Sequence, residues 1–251
     1  MKTTTLLFFC LAIGVLTPLY GQDRIHIVVP TAMEETDQVW GAISDITFFE
    51  QQGYTLNLPK GRLIDTLITK SKSGDLTPAD YTALKKFMAQ QVYRQANYEN
   101  GVRQIEAQKE LLHGMLGQLE AKRLPWGFKE FPVYKVLLSL YGSGGSYNPD
   151  TGAIVVLTTV EGGFKQYRNP ANTLIHEIVH IGLEYPIMEK YQVPHGLKER
   201  IVDRFVYLIF GEHLPEYKVQ DMGDPRIDAH LRSIQDLDRL GEIVAQFLRE
   251  H

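Results

Sequence analysis

The stretch Leu174 to Ile181 constrains this chain more than any other segment. It reads Leu-Ile-His-Glu-Ile-Val-His-Ile, apolar except at three positions. Ahead of it, Asn169 and Pro170 make a helix start, the first as cap and the second at the first helical position. Gly182 and Pro186 bound the far end. A helix this apolar belongs in a buried position. Two histidines and a glutamate in such a helix are costly unless they are paired or bind a metal.

His176 and His180 are four residues apart, so on a helix both imidazoles project from one face, one turn apart. That spacing lets two nitrogens grip one Zn²⁺ at about 2.0–2.1 Å. Glu177 lies beside them, placed to take a proton from a water that the metal acidifies. A catalytic zinc also needs a third protein ligand and one open position.

The third ligand has two candidates, Glu199 and His195, on a second helix expected from about Pro194 to Phe210. His195, Glu199 and Asp203 fall at i, i+4 and i+8, one stripe of that helix. Leu197, Ile201, Val202, Phe205, Val206 and Ile209 form its apolar side, with Glu199 at the margin and Arg200 and Arg204 turned away. Neutral imidazole and carboxylate are both acceptable to zinc, so spacing alone leaves the choice open. Tyr191, His213 and Tyr217 are further polar groups that could stabilise an oxyanion, with ordinary packing as the plainer reading.

The pair His176-Glu177-Ile178-Val179-His180 and Glu199-Arg200-Ile201-Val202-Asp203 resembles the HExxH and ExxxD motifs of the thermolysin-like gluzincins and their compact relatives. The likeness covers about residues 169–210, with a possible edge strand at Ala153 to Val160. It implies a zincin metallopeptidase with His176, His180 and Glu199 as zinc ligands and Glu177 as general base. It also implies Asp203 as the residue that orients a zinc histidine, and an edge strand that pairs with an extended peptide substrate. The metzincin pattern fits worse, because it needs a histidine where this chain has Pro186.

Elsewhere the chain alternates short strand and helix signals. Arg24 to Pro30 alternates apolar and polar residues and predicts a strand. Residues 31–59 give no clear period. Ser71 to Asp75 reads as a turn, and Thr77-Pro78 opens a helical region running to about Lys122 with an interruption near Asn100-Gly101. Val133 to Tyr141 and Ala153 to Val160 predict two strands, joined as a long-looped β-hairpin by the loops Gly142–Ser146 and Asn148–Gly152. A last helix is expected from about Pro225 to Glu250. The resulting fold class is α+β: a small sheet, an active-site helix and C-terminal helices, preceded by a helical N-terminal region. With no linker evident, residues 22–251 are expected to form one domain, 22–124 its strand and helical part and 125–251 its metal-site core.

The first 21 residues stand apart. Lys2 gives a positive start, Leu6 to Leu16 form an apolar run, and a more polar stretch ends at Gly21. That order predicts a secretory signal peptide over residues 1–21, and the run is too short to span a bilayer. The expectation is an exported protein, periplasmic or secreted, with no stable membrane span after signal removal. Cys10, the one cysteine, lies in this run, so its loss removes thiol nucleophiles, disulfides and cysteine-ligated metal. The net charge of -4, without a Lys/Arg block, argues against a nucleic-acid partner. The expected partner is a peptide or protein substrate; nothing in the sequence sets an oligomeric state. The competing expectation is a non-catalytic binding or assembly module that keeps a structural metal.

Overall fold

The structure, a computed structural model, describes residues 23–164, 169–214 and 216–251. The expected leader and Cys10 lie outside the described residues. In chain order the elements are β1 (Ile25–Val28), α1 (Ala32–Ser44), α2 (Ile46–Gln51), α3 (Arg62–Ser73), α4 (Pro78–Phe87), α5 (Glu99–Glu106), α6 (Lys109–Lys122) and β2 (Tyr134–Ser139). They continue with β3 (Gly145–Asn148), β4 (Ala153–Leu157), α7 (Pro170–Leu183), α8 (His195–Phe210) and α9 (Leu240–Glu250). The fold is mixed α+β. No helix among the described residues is long and apolar enough to cross a membrane.

The sheet has the order β1-β2-β4-β3. β2 pairs in parallel with both β1 and β4, and only β3 runs antiparallel, against β4. Strand β2 is flanked on both sides and buried at every position except Lys135, which accounts for its near-continuous apolar run. The expected hairpin of β2 with the strand at Ala153 is therefore corrected. These two strands are parallel neighbours, because the segment between them contains a strand of its own that runs back. Its turn is built by Asn148, whose Oδ1 accepts from the backbone N–H of Asp150 (2.9 Å) and Thr151 (3.1 Å). Gly152 completes it at φ 69°.

Helix α7 packs across β3 and β4 and against α5, α6 and α8. Every residue from Pro170 to Leu183 is buried. Asn169 caps the helix by accepting from Ala171 N at 2.9 Å, with Pro170 at the first position. Gly182 does not end it. A Cβ there would lie 2.0 Å from the Phe128 ring, which stacks on Phe205 of α8 at 5.6 Å. The glycine is a packing notch inside the last turn, and a π-helical turn, Glu184–Glu189, carries Pro186 beyond it.

Two apolar clusters support this frame. The larger joins the sheet, α5 to α9 and the loops between them; the smaller joins Val39, Ile43, Ile64, Leu67, Leu84 and Met88 from α1, α3, α4 and the π-turn Met88–Val92. Tyr141, just past β2, packs against both. Residues 31–59 supply α1 and α2, with Thr31 and Glu34 forming a reciprocal capping box. The region from Thr77 is divided into α4, the π-turn, a short 3-10 turn (Gln95–Tyr98), α5 and α6. The C-terminal stretch is likewise corrected: two 3-10 turns, Pro225–Ala229 and Ile234–Arg239, precede α9.

Candidate metal centre

Helices α7 and α8 bring three ligand atoms together. His176 Nε2 and His180 Nε2 are 3.0 Å apart, and each lies 3.3 Å from Glu199 Oε2. All three side chains are buried. A tetrahedral ion with arms of about 2.0–2.1 Å separates its ligand atoms by about 3.3–3.4 Å, so the observed triangle is close to one face of such a polyhedron. The chemistry agrees, with two imidazoles and one carboxylate converging on one point and no apolar group between them. This group could hold a metal ion.

The burial and the mutual charges explain how these groups titrate. Burial raises the Glu199 carboxyl, but the two imidazoles more than reverse this and hold it below its usual range. For His176 burial works downward, yet the carboxylates of Asp203 and Glu199 raise it to about 10. His180, chiefly through burial, is lowered. These opposed shifts favour a proton shared with the carboxylates, which a cation would have to displace.

Behind His176 the hydrogen bonds run in one direction. Tyr217 Oη donates to Asp203 Oδ1 at 2.5 Å, so His176 Nδ1, 2.7 Å from Tyr217 Oη, is the donor to that oxygen. Asp203 Oδ1 is also 3.2 Å from Nδ1, and Gln220 N donates to Asp203 Oδ2 at 2.6 Å. Asp203 is fully buried. This arrangement fixes the proton on Nδ1 and points Nε2 at the triad, as outer partners of metal-binding histidines do. Tyr217 therefore stands behind the histidine and not in the cleft. Tyr191 packs near Gly241 of α9, and His213 meets Gln118 at 3.2 Å near α6. None of the three faces the triad from the cleft.

A cleft of about 220 Å³ opens onto the triad. Glu177 lies in it, 5% exposed. Burial lifts its carboxyl to about 7, with Glu199 adding to the rise and His176 and Lys198 opposing it. His195 lines the cleft but is outside the triad. Its Nδ1 is 3.9 Å from Glu199 Oε1, and its Nε2 is hydrogen-bonded to Tyr54 Oη at 3.0 Å. Tyr54, pushed up to about 12 by burial and the nearby glutamates, keeps its proton. Phe48 and Phe49 of α2 complete that wall. No spacing in the sequence pointed to these three aromatic residues.

Strand β3 also lines the cleft. Ala153 to Val160 was expected to supply the edge, but β4 is interior and β3 holds the edge position. Gly145 and Tyr147 alternate with the exposed Ser146 and Asn148 and face α7. Gly145 is set against Glu177 and Tyr147 against His180. The glycine run Gly142–Ser146, which reads as a plain loop, is in part this strand. The chain matches no protein-family model, no curated protein and no solved structure.

Proposed function

We propose that the protein is an exported zinc-dependent hydrolase of the HExxH–ExxxD type that cleaves peptide bonds. The observation that carries the proposal is the placement of Glu177 in the same cleft as the buried His176–His180–Glu199 triangle. A structural zinc site is usually closed by four protein ligands, whereas three ligands with a carboxyl such as Glu177 beside them suit a catalytic one. His176, His180 and Glu199 would hold the ion, and Asp203 with Tyr217 would orient His176. When bound, the metal supplies Lewis acidity, polarising a carbonyl and lowering the pKa of water.

The remaining work falls to side chains. Glu177 accepts a proton from the attacking water and returns it to the leaving amine. Tyr54, protonated and lining the same cleft, donates to the oxygen where negative charge develops, with His195 as its neighbour. Strand β3 borders the cleft along Gly145 to Tyr147, which suits an extended peptide backbone. Export rests on the leader-like order of residues 1–21.

A mixed peptide library incubated with the purified protein tests the reading. Cleavage that chelation removes and zinc restores, and that is lost in Glu177→Gln, supports it. Zinc bound without cleavage would instead favour a binding module, and activity retained in Glu177→Gln would rule out the assigned base.

A further inference from the structure

The two histidines of the triad are held in different ways. The Nδ1–H of His176 donates toward Tyr217 Oη, with Asp203 Oδ1 also close at 3.2 Å. The Nδ1 of His180 is buried and, among the described residues, has no hydrogen-bond partner. An imidazole without such a bond keeps its orientation only if packing restricts its side-chain torsions. Tyr147 of β3 supplies that packing. The two rings are stacked with centroids 4.7 Å apart and planes 10° from parallel. The tyrosine is itself anchored at its far end, its hydroxyl donating to Glu184 Oε2 at 2.6 Å and accepting from Lys198 Nζ at 3.0 Å. Glu184 directly follows α7 and Lys198 directly precedes Glu199 on α8, so the clamp is tied to both ligand-bearing helices.

We propose that Tyr147 is a positioning residue for the metal centre: its ring, anchored by Glu184 and Lys198, holds His180 with Nε2 turned toward His176 and Glu199. The inference rests on the metal-site reading above. It gives His180, through stacking, the restraint that His176 receives through hydrogen bonds. It also gives β3 two tasks on one face, because residues two apart on a strand meet Glu177 and His180, three apart on the facing helix.

The test titrates Zn²⁺ into the purified wild-type, Tyr147→Leu, Tyr147→Phe and Glu184→Gln proteins. Absorption spectra of the Co²⁺ forms report ligand geometry, and urea unfolding without metal reports stability. Tyr147→Leu should weaken Zn²⁺ binding by about ten- to a hundredfold, the usual cost of losing an outer partner of a metal ligand. Its Co²⁺ bands should shift. Tyr147→Phe keeps the ring but loses its anchor, and should fall between Tyr147→Leu and the wild type. A merely structural tyrosine would lower the urea midpoint and leave the Co²⁺ spectrum unchanged. Zn²⁺ affinity and Co²⁺ bands like the wild type's in Tyr147→Leu overturn the inference alone. If that variant does not fold, the same result in both Tyr147→Phe and Glu184→Gln overturns it. A wild-type protein that takes up no Zn²⁺ overturns the metal-site reading and this inference together.

Discussion

Gly145 lies directly against Glu177: a Cβ built on the glycine would be 2.0 Å from Oε1 and 2.7 Å from the carboxyl carbon. The strand can approach the helix this closely only because the residue has no side chain. Gly145→Ala must therefore push the carboxylate aside or move the strand. On the proposed hydrolase function, a displacement of about 1 Å can cost about a hundredfold in rate, and a loss of that order in kcat is expected with zinc content unchanged. Peptide cleavage and metal content measured on the same sample check this, and full activity in the alanine variant would contradict the close approach.

The roles given to Tyr54 and His195 separate cleanly from those of the ligands. Tyr54→Phe should retain stoichiometric zinc and lose about a hundred- to a thousandfold in kcat, the cost of removing one oxyanion donor. His195→Ala should also retain zinc, because its ring nitrogen is 3.9 Å from Glu199 and outside the triad. Loss of zinc in His195→Ala would make His195 the ligand and displace Glu199 from that role.

Packing at Gly182 gives a test of the fold independent of chemistry. The Phe128 ring fills the space a Cβ would need, at 2.0 Å, and is held there by its stack on Phe205. Gly182→Ala overpacks this contact and should cost about 1–3 kcal/mol, despite the better helix propensity of alanine. Urea unfolding checks the sign; a more stable variant would show that Phe128 can move away.

Much of this molecule is legible in its residues, and the parts that are not share a cause. The starts of α7 and α8 follow from local chemistry, Asn169-Pro170 for the first and Pro194 for the second. Glu199 and Asp203 share a stripe that the structure turns toward α7. The helix α1 also had a local signal, the Thr31–Glu34 capping box, in a stretch that shows no clear period. Strand β3 had none, because a glycine-rich run looks like a loop until a helix packs against it. Phe48 and Phe49 come to the cleft from α2 and Tyr54 from the loop after it, over a sequence distance that no periodicity spans. Gly182 reads as a helix stop because the ring that occupies its notch lies 54 residues earlier, at Phe128.

Glu35 predicts a pH dependence. It is completely buried and accepts from Leu140 N at 2.8 Å, tying α1 to the end of β2. Burial raises its carboxyl above the ordinary 4.5, against the opposing pull of that bond and of the Tyr98 and Ser139 hydroxyls. The native state then binds more protons than the unfolded chain, so stability falls as pH rises through this window. The contribution is complete below pH 4.5 and is lost as pH climbs through the raised native value. Urea midpoints of wild type and Glu35→Gln from acid to alkaline pH isolate it: the wild type should lose ground to the variant as pH rises. A constant difference would show that the carboxyl is not raised.

The proposed activity requires His176, His180 and Glu199 to form one metal site, and zinc stoichiometry measures that directly. Elemental analysis after zinc loading and removal of excess should give one ion per wild-type chain. In His180→Ala and in Glu199→Ala, each missing one corner of the triangle, the ion should be lost under the same wash. A wild-type chain with less than stoichiometric zinc, or a Glu199→Ala chain that retains it fully, would contradict a site built from these three residues.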